Sequence, residues 1–328
     1  MKLIFLIFKS RYRYKDIGNF LYSKVYNNFF LINLSGPLKS ILGRFLVTLK
    51  IGRAISLDGN PIIKNKSDGI NIWFGGTSFK IPEKLKYLKN NYVNVKNIIF
   101  PNDNFFQFYP INIKNFIFKK DIKIIFISKI QLNLNNQEKL LWAKYKKKIL
   151  TNFLLIDKLK FWKQRDFLEL DQKQKFLLYR KFKNSIKYES IKYLKKKFNR
   201  NLWIIGSDWR KYKINSFLDN YENNYITNMY QGNICLDFGS MSGSTSLHPR
   251  SIQIIESGGL LIQAKQLDHN LIWSADQKKI LFNSVNDIFK KINFFYESKE
   301  NIIKMVNSIS SKFKNTEKID LSLKKIFS

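Results

Sequence analysis

The sequence predicts an α/β fold whose parallel sheets carry helices on both faces, and three observations support this. Short apolar runs of strand length recur along the 328 residues. The runs are unbroken rather than alternating, the pattern of strands covered on both sides. Between them lie Lys-rich stretches whose apolar residues fall three or four apart, as on one face of a helix.

In chain order the runs are LIFLIF (3–8), INIWFG (70–75), NIIF (97–100) and IKIIFIS (122–128). LWIIG (202–206), ICLDF (234–238), LLIQ (260–263) and ILFN (280–283) follow. Over 179–198, Tyr179, Phe182, Ile186, Ile191, Leu194 and Phe198 mark one helix face with Lys on the other positions. A further helix is expected over 284–313, where Ser284 with Asp287 three residues on resembles a capping box. The polar, Asn-rich stretch 112–121 is the clearest divide. It sets expected domains at 1–118 and 119–313, with a basic tail at 314–328. No role follows from sequence for the Lys-rich segment 133–199.

Composition narrows the partners. Hydrophobic residues make up 45% of the chain and aromatics 16%, enough for a substantial core. The formal charge is +34, from 58 basic against 24 acidic residues. Such a surface suits nucleic acid, an anionic membrane face or phosphorylated substrates. A competing reading is that heavy use of Lys, Asn, Ile, Phe and Tyr, all read from AT-rich codons, accounts for most of the excess without any binding role. The lone Cys235 excludes an internal disulfide and fits a reducing compartment. The apolar start of the chain is too short for a signal-peptide core, and ILGRFLVTLKIG (41–52) is interrupted by Arg44 and Lys50. The expected location is cytoplasmic, peripheral to the inner face of a membrane.

The most organised stretch is 235–268. After ICLDF come Gly239, Ser240, Ser242, Gly243, Ser244, Thr245 and Ser246, then His248, Pro249 and Arg250, and a Gly258-Gly259 pair. Small residues allow close backbone approach to a ligand, and hydroxyls add donors. Pro249 suits the first position of a helix, and the glycines suit its end. A strand, a hydroxyl-rich loop and a helix start bearing Arg together make an anion site. A plain surface turn with a solvated Arg250 is the competing reading. Neither Walker A nor dinucleotide-fingerprint spacing is present.

PRSIQIIESGGLLIQ (249–263) resembles the donor-site helix and following strand of group 1 glycosyltransferases of the GT-B fold. NLWIIGSDWRKY (201–212) is similar to their hydrophobic–Gly–x–x–Trp strand, and IKIIFISK to the strand that opens the domain. The resemblance covers about residues 122–313. It implies two Rossmann-like domains and transfer of a sugar from a nucleotide-sugar donor to a glycan or lipid-linked acceptor, in the building of a surface glycan. The family's ribose-binding glutamate falls on Gln253, with Glu256 one turn later as a substitute. Its other acidic residue falls on Thr245.

A departing nucleoside diphosphate needs positive charge where its negative charge develops. No two aspartates lie two residues apart, and His248 and His269 are the only histidines, so a metal-free site is expected. Arg250 is the first candidate for that charge, followed by Arg210, Lys211 and Lys129. His248 is an N-cap, a phosphate ligand or a proton-transfer group. Gly206, Ser244 and Thr245 complete the expected donor side, with no cofactor beyond the nucleotide-sugar substrate. Gly75, Gly76 and Thr77 form an acceptor-side loop, with Asp68, Glu83 or Asp103 as bases. Two alternatives stand beside this reading: a basic nucleic-acid-binding protein, and an inactive GT-B-like scaffold. The aromatics fall mostly at core-spaced positions rather than among surface Lys and Arg, so no nucleic-acid partner is expected.

Overall fold

The computed structural model describes residues 2–7, 24–26, 29–34, 37–57, 68–72, 113–219, 223–239, 248–266, 269 and 273–314. They fall in two compact α/β units, with described residues up to Ile72 in the first and from Ile113 to Lys314 in the second. The run 97–100, the tail beyond Lys314, Glu83 and Asp103 lie outside the described residues.

In the first unit, strands β1 (Lys2–Ile7), β2 (Lys24–Tyr26), β3 (Phe29–Asn33), β4 (Arg53–Leu57) and β5 (Gly69–Ile72) form one sheet in the order β2-β3-β1-β4-β5. β3, β1, β4 and β5 run parallel, with Ile4 opposite Leu31 on one side and Arg53 on the other. The sheet is not parallel throughout as expected: β2 pairs antiparallel with β3. Two residues separate Tyr26 from Phe29, enough for an antiparallel hairpin and far too few for a parallel crossover. Helix α1 (Pro37–Thr48) packs on β1 and β4. Its Val47 joins Phe5, Ile7 and Ala54 in the core. Gly43 is where helix and sheet come closest: a Cβ there would lie 2.5 Å from Ile7 Cγ2.

In the second unit β6 (Ile124–Ile127), β7 (Leu202–Ile205), β8 (Ile234–Asp237), β9 (Leu260–Ala264) and β10 (Leu281–Phe282) are all parallel, in the order β10-β9-β8-β6-β7. Every residue of β6, β8 and β9 is buried, which explains why their sequences read as unbroken apolar runs. The unit's first strand, β6, lies between its second and third, so chain direction across the sheet reverses between β6 and β8. In open α/β sheets that reversal leaves a crevice at the carboxyl ends of the strands.

The segment 133–199 is a helical lobe. Helix α2 (Asn136–Thr151) starts in a capping box between Asn135 and Glu138. A helical turn, Leu159–Trp162, leads toward helix α3 (Gln172–Phe198), which starts in another capping box at Asp171 and Gln174. Tyr145, Phe161, Trp162 and Phe167 pack ring against ring, with centroids 5.1 to 5.3 Å apart. Helix α4 (Asn223–Tyr230) precedes β8, and α5 (Pro249–Glu256) joins β8 to β9.

The single helix expected over 284–313 is two: α6 (Val285–Tyr296) and α7 (Lys299–Lys314). Ser298 explains the break, since its Oγ accepts the Asn301 N–H at 3.2 Å and starts a new helix. At the front of α6, Ser284 Oγ accepts from Asp287 N–H as expected. The return bond is displaced by one residue: the Asp287 carboxylate takes the N–H of Asn283.

Candidate functional site

The carboxyl ends of β6 and β8 hold a buried charge cluster. β8 ends in Asp237, 3% exposed. One carboxylate oxygen accepts the Gly239 N–H at 2.9 Å, and the other accepts Ser251 Oγ–H at 2.5 Å. Gln263 on β9 donates to Ser251 Oγ at 2.9 Å. These bonds fasten the first turn of α5 to the strand before it.

His248 is at the N-cap position of α5, but its side chain makes no cap bond. Its Nδ1 stands 3.4 Å from Asp237 instead. Pro249 occupies the first turn, as the sequence predicts, and Gly258 (φ 69°) follows the helix's last turn. Arg250 reaches across the reversal and donates to the Ile127 carbonyl, the last of β6, at 2.7 Å.

The fourth member, Lys187 on α3, was missed from sequence. Its side chain is buried, and its ammonium donates to Ser128 Oγ over a long 3.4 Å. A signal existed: Tyr179, Lys183 and Lys187 are four apart and share a helix face with Phe182, Ile186 and Leu194, all buried. In so Lys-rich a segment those two lysines read as solvated.

Burial alone would push the Asp237 carboxyl up. The imidazole of His248, the hydroxyl of Ser251 and the guanidinium of Arg250 outweigh burial and hold it well below the usual carboxylate range. Burial pushes Lys187 down to about 8; Asp237 favours its charge, while Arg250 and Lys183 oppose it. Among the described residues, Asp237 thus faces Lys187, Arg250 and His248, and Arg250 also acts on the Tyr230 hydroxyl. The cluster stands at a place where such sheets bind ligands.

The other predicted donor-side residues are distributed as follows. Gly206 ends β7 at φ 129°, and a Cβ there would lie 2.5 Å from the Ser128 carbonyl oxygen, so glycine is required for this turn. Next to it Trp209 is wholly buried and donates its indole N–H to the same carbonyl at 2.6 Å. Lys129 and Lys211 are exposed and both pair with Asp208, at 3.5 and 2.6 Å. Lys211 and Lys129 together hold the Asp208 carboxyl below its ordinary value. Arg210, also exposed, is 3.5 Å from Asp219. Gln253 is half-buried one turn into α5. Glu256 is six residues beyond Arg250, about 9 Å along the helix axis, and its carbonyl accepts from Lys114 N–H near the amino ends of β8 and β9. The structure does not bring Glu256 to the cluster. Ser244, Thr245, Gly75, Gly76 and Thr77 lie outside the described residues.

Among the described residues no group of His, Cys, Asp and Glu is placed to hold a metal ion, and no helix is long and apolar enough to cross a membrane. The chain matches no protein-family model and no curated protein sequence.

Proposed function

We propose that this protein is a glycosyltransferase with two Rossmann-like domains in a GT-B-like arrangement, and that the β6–β8 cluster receives the diphosphate of a nucleotide-sugar donor. The observation that carries the reading is the meeting of Lys187, Arg250 and His248 around Asp237 at the reversal point of a parallel sheet. A diphosphate would add negative charge beside these cations and give the Lys187 ammonium a partner better than a 3.4 Å bond to Ser128.

In the reaction, the bond from the sugar's anomeric carbon to the diphosphate oxygen breaks, and the diphosphate leaves with the electron pair. The acceptor hydroxyl oxygen bonds to that carbon, and its proton passes to a base. Arg250 and Lys187 stabilise the charge growing on the diphosphate. His248, with Asp237 on its Nδ1 side, uses Nε2 to exchange a proton or bind a phosphate oxygen. The acceptor is a glycan or a lipid-linked sugar at the inner face of a membrane.

The test is a thermal-shift screen with UDP, GDP, CDP, ADP and their sugar conjugates on the wild type and on Lys187→Met. One nucleoside diphosphate at about 100 times its Kd should stabilise the wild type by about 2.7 kcal/mol, and the variant much less. Stabilisation by oligonucleotides alone, weakening with salt, would overturn the reading in favour of a nucleic-acid-binding protein. Nucleotide binding without sugar transfer would identify an inactive relative.

A further inference from the structure

Helix α1 is apolar on the side that faces water. Ser40, Gly43 and Val47 form the stripe that packs on the sheet. The opposite stripe is Leu38, Ile41, Leu42, Phe45 and, just past the helix, Leu49, exposed to 78, 62, 49, 58 and 53%. These positions repeat at three and four residues, so they form one continuous row. A row this large on a water-facing helix marks a surface that something else covers.

Charge identifies the occupant. Lys39 and Arg44 flank the row on its two sides at 100° per residue, Lys50 follows it, and all three are exposed. Between Asp16 and Asp58 the chain holds no acidic residue at all. A second copy of the face would set these cations against themselves, which argues against self-association there. Twelve helical residues span about 18 Å, too short to cross a bilayer but suited to lying in its interface. An apolar row with cationic flanks is what an interfacial helix needs: the row enters the acyl boundary and the cations meet the headgroups. We propose that the outer face of α1 docks on an anionic phospholipid bilayer. The inference stands on the first unit alone and does not depend on the nucleotide-sugar reading.

The experiment is vesicle flotation of the full chain, with vesicles of phosphatidylcholine alone or mixed with phosphatidylglycerol. Because the whole protein is basic, attraction to anionic vesicles by itself proves little. The deciding variant replaces two exposed apolar residues, Leu42→Gln with Phe45→Gln, and leaves every charge in place. It should bind the anionic vesicles roughly tenfold or more weakly while keeping the wild-type melting temperature. A separate Phe45→Trp variant should shift its emission to the blue on these vesicles and be quenched by lipids brominated in the acyl chains. Undiminished binding by the double variant, or no acyl-chain quenching, would overturn the proposal. So would a wild-type dimer in sedimentation equilibrium that the double variant abolishes, since the face would then join two copies.

Discussion

Lys183 and Lys187 stand one turn apart on α3, both with buried side chains, and the protein holds them in opposite ways. Lys183 has a counterion of its own: Asp157 Oδ2 is 3.1 Å away, and the Tyr179 hydroxyl donates to the other carboxylate oxygen at 2.7 Å. The Tyr179 ring also lies 5.4 Å beneath the ammonium. Lys187 has one long bond to a serine and a share in Asp237, which Arg250 and His248 also draw on. Both lysines are expensive to bury. The difference is what separates the two in the reading proposed above: Lys183 is matched by partners of its own, and Lys187 is the one proposed to meet a ligand.

The comparison is broken most forcefully from the Lys183 side. Asp157→Ala strands a buried ammonium and should cost about 3–5 kcal/mol in urea unfolding. A much smaller loss would mean that Lys183 escapes to water, and the contrast would fail. Lys187→Met should have the opposite sign, stabilising the apoprotein by roughly 2–3 kcal/mol at pH 7, because the ordinary Lys value of 10.5 falls to about 8 on folding. The unfolded chain holds that proton up to 10.5 and the folded chain releases it near 8. The cost is therefore complete below pH 8 and is relieved as pH rises to 10.5, so the gap between variant and wild type should close over that window. Chemical denaturation at pH 7, 9 and 10.5 reads this directly.

Two smaller effects sharpen the picture. Gly206→Ala presses a methyl onto the backbone of Ser128, the residue whose hydroxyl holds Lys187. It should destabilise by about 1–3 kcal/mol and weaken nucleotide stabilisation along with it. Lys211→Ala removes an exposed partner of Asp208 and should leave the melting temperature unchanged within error. A large effect of Lys211→Ala on nucleotide binding, with none from Lys187→Met, would move the site to the β7 turn.

Legibility from sequence followed burial. β6, β8 and β9 are covered on both faces, so their residues are nearly all apolar and each run stands out. The strands β2, β3 and β4 do not: KVY is three residues long, FFLIN ends in a polar residue and RAISL carries Arg53 and Ser56. The helix start at Pro249 and its glycine exit were readable because proline and glycine act through local backbone geometry. The place of Arg250 in the first turn followed from the same signals. Lys187 was not, because its significance comes from Asp237, fifty residues further on, and no local pattern encodes that meeting. The resemblance set an acidic or amide pair, Gln253 and Glu256, beside Arg250 on one helix. The helix axis separates Glu256 from it, since that end of α5 lies toward the amino ends of the strands.

Trp209 gives the molecule an optical handle on this site. Its indole is sealed from water and bonded to the main chain of Ser128, while the side chain of that same serine holds Lys187. Any anion that draws the ammonium away from Ser128 alters the polarity around a fluorophore one residue removed. The arrival of a ligand should therefore be visible in the protein's own emission, without a label and in real time.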